Sequence, residues 1–334
     1  MRSFKKTLSG FLYMSVANVP VAIFLVLIFL ILTHSSTSLY YALTGLNLWF
    51  TKMIPSLFPF MILSGIMVRL NLTESFSALL YPVLRPVLKV SKNVCYGIIM
   101  GFLCGFPMGA RVTRDLLDRN MITDEEGDFL LAFCNNIGPV YFCSFVLPLL
   151  KRSLVWPYVF GMYGIPFLYG ILLRHTLCRN MYSAGSKSSL NRRELTACKK
   201  GRFTISLLEQ IDSSIISATQ SILNLGGYMI LFNLLNLIPH VLISYQGMPM
   251  VIRNLIAPLL EITGGLSMLG TSLPLFSLLI LPFGGLSCIA QTYSMIKHSS
   301  LSITRYIGHK LVLTGLTACY YLVWFLVDSG SFLL

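Results

Sequence analysis

Tyr96-Gly-Ile-Ile-Met-Gly101-Phe-Leu-Cys-Gly105-Phe106-Pro107-Met-Gly109-Ala-Arg111 is an apolar run that stops at a Gly-Phe-Pro and restarts as Val112-Thr-Arg-Asp-Leu-Leu-Asp-Arg-Asn120. Gly101, Gly105 and Gly109 flank the stop. In a soluble domain this would be an ordinary turn. In a chain as apolar as this one it lies at membrane depth, where a broken helix is tolerated only if its freed backbone groups face protein or a wet cavity. Breaks of this kind point to the binding site of a transporter.

Composition fixes the class. Of 334 residues, 55% are hydrophobic and only 11% charged, against about 25% charge in soluble domains; mean hydropathy is +0.75. The chain reads as an all-α polytopic membrane protein. Its length suits roughly eight spanning segments plus shorter re-entrant ones, at about 20 residues per crossing. The formal charge of +13 reads as topology, because cytoplasmic loops collect Lys and Arg. No aromatic-basic motif supports nucleic-acid binding. The eight cysteines form no CxxC pair and the five histidines no metal-ligand spacing, so no metal or cofactor is expected. No G-x-S-x-G, H-E-x-x-H or P-loop is present, and no enzymatic activity is expected.

Working outward, the basic Met1–Lys6 precedes an apolar run from Val16, which predicts a first span to Thr33 with a cytoplasmic N-terminus. Residues 40–50 read as an amphipathic helix, followed by a span to Arg69 whose start is bent by Pro55 and Pro59. Residues 71–93 read as interfacial or re-entrant. Six of the twelve acids fall between Asp115 and Asp128; Thr123 and Glu126 there have the spacing of a capping box. Asn135-Asn136-Ile137-Gly138-Pro139 interrupts the next apolar run as a second break, and residues 155–173 form a clean span. Eight Lys and Arg against Glu194 mark residues 174–202 as a cytoplasmic loop.

Beyond the loop, residues 207–222 read as amphipathic, and a span then runs toward His240. Pro282-Phe283-Gly284-Gly285-Leu286-Ser287 breaks a later run, and Gln291 follows within two turns. Lys297, His298, Arg305 and Lys310 read as a cytoplasmic cluster ahead of the last span, 311–327. Gly105–Thr113 can be laid over Gly284–Thr292 as an internal repeat. The expected organisation is therefore a first membrane repeat, 1–175, a basic loop, 176–202, and a second repeat, 203–334.

Arg111 is the first candidate for chemistry: beside a helix N-terminus it can clamp a carboxylate, or it can snorkel to the surface with Arg114. Glu261 is the sole acid between Asp212 and Asp328. It reads either as a proton or cation site or as a cap at the boundary before Thr263-Gly264-Gly265. Asn135, Asn136, Ser287 and Gln291 are neutral groups beside breaks, able to hold a polar substrate or to satisfy freed backbone. With Gly105, Phe106, Pro107, Gly109, Arg111, Gly284 and Gly285 they make up the expected binding set, and Glu261 the expected coupling residue.

Together these motifs resemble a family. Trp49 with Ile54-Pro55-Ser56-Leu57-Phe58-Pro59-Phe60, Arg85-Pro86, Gly105–Ala110, Phe133–Asn136 with Gly138-Pro139, Glu261–Gly264 and Phe283–Ser287 with Gln291 are similar, in order and over nearly the whole chain, to the YlbJ-like sporulation integral membrane proteins of the nucleoside-recognition, or Gate, group. The resemblance implies a spore-forming bacterium, the outer forespore membrane, and movement of dipicolinic acid toward the forespore by two inverted repeats similar to concentrative nucleoside transporters. Dipicolinate is a small aromatic dianion, for which Arg111 and the rings of Phe106 or Phe283 are suited. The chain is short for the family, and Asn135–Pro139 departs from an Asn-x-Ser-x-Pro-like form, which leaves the substrate open. The alternatives are an ion-coupled carrier of nucleosides or other small solutes, and a non-transporting scaffold of the spore envelope.

Overall fold

The computed structural model describes residues 21–151, 156–178, 200–247, 249–269 and 272–327. The basic N-terminus, the first residues of the expected first span and most of the basic loop lie outside them. Among the described residues the chain is all helix. The first half comprises α1 (Val21–Thr33), α2 (Ser35–Leu48), α3 (Ile54–Arg69), α4 (Thr73–Ser77), α5 (Tyr81–Leu88), α6 (Lys92–Cys104), α7 (Met108–Asp118), α8 (Asp124–Cys134), α9 (139–149) and α10 (Trp156–His175). The second comprises α11 (Lys200–Leu234), α12 (Leu237–Tyr245), α13 (Met250–Leu260), α14 (Ile262–Leu269), α15 (Pro274–Ile280), α16 (Gly285–Ile296) and α17 (Ile303–Val327).

Six of the described helical runs are long and apolar enough to cross a membrane: Ser35–Arg69, Asp124–Leu149, Trp156–His175, Leu207–Tyr245, Pro274–Ile296 and Ile303–Val327. A seventh arises if α5 and α6, bent by 104°, are taken as one. The sequence suggested roughly eight; the expected first span, 16–33, is described only from Val21 and enters here as a short apolar helix, Val21–Thr33. Residues 40–50 are not a separate amphipathic helix: α2 and α3 form one run, joined by a π-helical turn at Trp49–Met53. That turn directly precedes Pro55 and makes room for a residue with no N–H to donate. Likewise α11 passes through 222–224 without interruption.

Large apolar side chains stay exposed along these runs, among them Phe50, Leu63, Leu172, Leu223 and Val323. This is the pattern of a lipid-facing surface rather than a water-facing one. The two long helices pack antiparallel. The Trp49 indole donates to the Ile222 carbonyl (2.9 Å), and the Ser214 hydroxyl donates to the Ile62 carbonyl (2.7 Å). As the first helix advances from 49 to 62, its partner recedes from 222 to 214.

The capping box forms as expected. The Thr123 hydroxyl accepts from Glu126 N–H, and the Glu126 carboxylate accepts from Thr123 N–H. The acidic segment beyond it meets the start of α17, where Asp128 pairs with Arg305 at 2.6 Å.

Both halves then follow one order. After the long helix comes a hairpin, then a span broken in its middle, then a final span. In the first hairpin α7 folds back on α6: Gly97 lies beside Leu116, and at the base Asn93 Nδ2 donates to the Met121 carbonyl (3.2 Å). In the second, α14 folds back on α13, with Gly265 against the backbone of Ala257 and Pro258. The broken spans are α8–α9 and α15–α16.

Candidate functional site

The first hairpin turns at Gly105 (φ +74°) and a cis Phe106–Pro107 bond. The first broken span unwinds at Asn135–Gly138. These two breaks cross. Phe106 N–H donates to the Asn136 carbonyl (2.6 Å). A Cβ on Gly105 would lie 2.2 Å from the Gly138 nitrogen, and one on Gly109 3.1 Å from Asn135 Oδ1. Asn135 Nδ2 donates onward to Thr292 Oγ1 (3.0 Å) and Tyr306 Oη (3.1 Å), and Asn136 Nδ2 to the Phe133 carbonyl. The carbonyl of Asn135 accepts from Lys310 Nζ (2.8 Å), whose ammonium lies 5.2 Å from the Phe106 ring centroid and 5.9 Å from that of Tyr306.

The second pair of breaks crosses in the same manner. Glu261 occupies the tip of the second hairpin. Its carboxylate accepts from Thr263 N–H (3.1 Å), Gly264 N–H (2.6 Å) and Asn233 Nδ2 (3.0 Å). Gly284 and Gly285 carry the second broken span through positive φ. A Cβ on Gly285 would come within 3.0 Å of the Pro258 carbonyl, so this break lies on the hairpin tip. The pairs also meet each other. Phe106 borders Gly284, and the Tyr141 hydroxyl donates to Thr263 Oγ1 (3.2 Å). Asn135, Glu261 and Lys310 are each 2% exposed or less, so the centre is closed to solvent in this conformation.

No family model matches the chain, and no solved structure matches it. The sporulation integral membrane protein YlbJ of Bacillus subtilis (strain 168) is 24% identical over 238 residues, which is 64% of this chain and 54% of YlbJ. The chain is YlbJ-like. It spans about half the length of that relative. The apolar helices and this similarity together make it an integral membrane protein.

In this YlbJ-like chain the four breaks gather Gly105, Phe106, Pro107, Gly109, Asn135, Asn136, Glu261, Gly284 and Gly285 of the expected set. Ser287 and Gln291 form an i, i+4 pair on α16, the amide donating to the hydroxyl at 2.8 Å. One position further on, Cys288 and Thr292 face Tyr306 and Asn135. Arg111 is elsewhere. It points from α7 toward α11, where Nη2 donates to Ser217 Oγ (3.2 Å).

Lys310 was read with the surface cluster ahead of the last span, and the structure corrects that. Arg305 serves the surface, on Asp128, whereas Lys310 lies buried inside α17. The signal was present: a lysine within a long apolar helix is an ionisable group at membrane depth. Asn233 and Tyr306 were also missed, since their roles depend on partners distant in sequence.

For Glu261 the geometry supplies the capping role. With Glu261→Gln, one of the three donors meets an amide N–H instead of an oxygen, and a stranded buried donor costs about 1–3 kcal/mol. The variant is expected to melt below wild type in detergent; an unchanged midpoint would mean that the three contacts carry no net stability.

Proposed function

We propose that this chain carries a small anionic solute across the membrane by alternating access, binding it where the four helix breaks cross. The observation that carries the reading is Lys310. A lysine ammonium is buried within a spanning helix, beside an aromatic face and the polar backbone of a break, and no carboxylate pairs with it among the described residues. Such a group is costly to bury, and an anionic substrate is what would compensate it.

Dipicolinate is the first candidate. It is a planar dianion whose ring suits Phe106 and whose carboxylate suits Lys310. The relative is named a sporulation membrane protein, which favours a sporulation role here and the outer forespore membrane as the location. The shared element order and the antiparallel long helices favour two inverted repeats of the transporter type. By that order Gly105-Phe106-Pro107 answers to Glu261, and Asn135–Pro139 answers to Phe283–Gly285, a different register from Gly105 over Gly284. Glu261 is then the candidate for ion or proton coupling.

A nucleoside carrier is the second reading. Asn135 Oδ1 and Asn233 Oδ1 are buried acceptors with no donor, and ribose hydroxyls would supply donors.

Uptake of labelled dipicolinate into proteoliposomes, with nucleosides as competitors, tests the proposal. Saturable uptake insensitive to nucleosides is the expected result. Uptake of nucleosides instead would keep the architecture and discard the anion; no uptake of either, with or without an ion gradient, would favour a scaffold.

A further inference from the structure

Away from the four breaks, a cavity of about 270 Å³ opens at the foot of the first hairpin. It is lined by Gly65, Val68 and Arg69 of α3, Arg111 and Asp115 of α7 with Asp118 and Arg119 at its end, and Ser217 of α11. Three guanidiniums, facing only two carboxylates, therefore share one small space.

Arg111 is 4% exposed, and its Nη1 has no hydrogen-bond partner. Its other contacts leave it under-satisfied. Ser217 offers one neutral oxygen at 3.2 Å, and Asp115 makes an ion pair with Nε at 3.8 Å, too long to be a hydrogen bond. Asp118, which also lines the cavity, pairs with Arg114 at 3.3 Å. At the rim, Arg119 donates to the Arg69 carbonyl (3.4 Å). Burial first, and the Arg69 guanidinium second, pull the Arg119 pKa below its ordinary value, with the Asp115 carboxylate opposing them. A buried guanidinium with a free donor, facing two further guanidiniums across a cavity, is an arrangement that an anion completes.

We infer that this cleft is a second anion site, which takes a small oxyanion, a carboxylate or phosphate, between Arg111, Arg69 and Arg119. It does not depend on what the four-break centre carries. The oxyanion can come from solution or from a lipid headgroup, because α3 ends at Arg69 and α7 at Asp118, which places the cleft at the foot of both helices. An anion there would tie α7, the arm that follows the Phe106-Pro107 tip, to α3 and α11.

The test uses the full chain in nanodiscs and reads the thermal midpoint. One arm titrates inorganic phosphate, at constant ionic strength, into phosphatidylcholine discs. The other compares discs with and without phosphatidylglycerol, free of phosphate. Wild type is expected to be stabilised in at least one arm: the phosphate arm alone identifies a soluble anion, the phosphatidylglycerol arm a headgroup. Arg111→Gln is expected to weaken the response roughly tenfold or more. Arg119→Gln, at an exposed position, is expected to weaken it too and serves should the buried variant misfold. Lys310→Met is expected to keep the response. No stabilisation in either arm, or equal responses in wild type and both arginine variants, overturns the site. A response lost in Lys310→Met but kept in the arginine variants places the anion at the four breaks and overturns it equally.

Discussion

Lys310→Met is expected to fold, insert and lose uptake. Methionine matches the length and apolar stem of lysine and removes only the ammonium. The variant strands the Asn135 carbonyl, which Lys310 holds at 2.8 Å, at about 1–3 kcal/mol. It also removes the need to bury a charge, a penalty of several kcal/mol for an ion without a partner. These oppose each other, so the melting temperature should stay near that of wild type or rise. Substrate affinity has no such offset. A charge-assisted hydrogen bond to an anion contributes about 1.5–3 kcal/mol, so binding should weaken roughly 10- to 150-fold. Labelled dipicolinate uptake and a thermal melt on the same preparation separate the outcomes. Wild-type uptake in the variant would remove Lys310 from the binding site. Loss of uptake in proportion to loss of folded protein would make it only the tether of the Asn135 carbonyl.

How legible this was in the sequence depended on the range of the interaction. The helical class, the breaks at Gly105–Pro107, Asn135–Gly138 and Pro282–Gly285 and the Thr123–Glu126 box are local. Gly and Pro inside apolar runs, or a hydroxyl three residues before a glutamate, announce them without any partner.

The two long helices were misread because polar residues suggested amphipathic pieces. In the fold those groups are satisfied within the helix: the Thr51 hydroxyl donates to the Asn47 carbonyl (2.6 Å), and the Gln220 amide to Asn224 (3.3 Å). A polar residue that bonds its own helix needs no aqueous face. Gly105 and Gly284 sit in similar local sequence but in different settings. One is the tip of a hairpin and the other the middle of a span. What separates them is whether the arms fold back, as Asn93 and Met121 show for the first. Glu261 could be read as a boundary residue, but Asn233 is 28 positions away. Lys310 was grouped with its neighbours in sequence, while its partners, Asn135 and Phe106, come from the other half of the chain.

Gly105→Ala is expected to be the most destabilising single methyl group in the first half. Its φ of +74° with ψ of −166° is a region that essentially only glycine occupies, and an alanine held there is strained by about 1–3 kcal/mol. The overlaps add to this: the new Cβ would lie 2.2 Å from the Gly138 nitrogen and 2.7 Å from both the Asn136 oxygen and the Gly138 Cα. All three are backbone atoms, so no rotamer change relieves them, and the two breaks must separate. Separation costs the Phe106 N–H its acceptor on Asn136 and moves the ring that faces Lys310.

Gly227→Ala is the matched control. That glycine lies within α11, with open space where a Cβ would go, and alanine there should stabilise by up to about 1 kcal/mol. Size-exclusion profiles and melts in detergent should therefore move in opposite directions for two identical chemical changes. If Gly105→Ala melts with wild type, the first hairpin tip does not rest on the first broken span, and the crossing that defines the candidate site is wrong. If it melts early while Lys310→Met does not, the crossing of the breaks carries the stability of the site and the lysine does not.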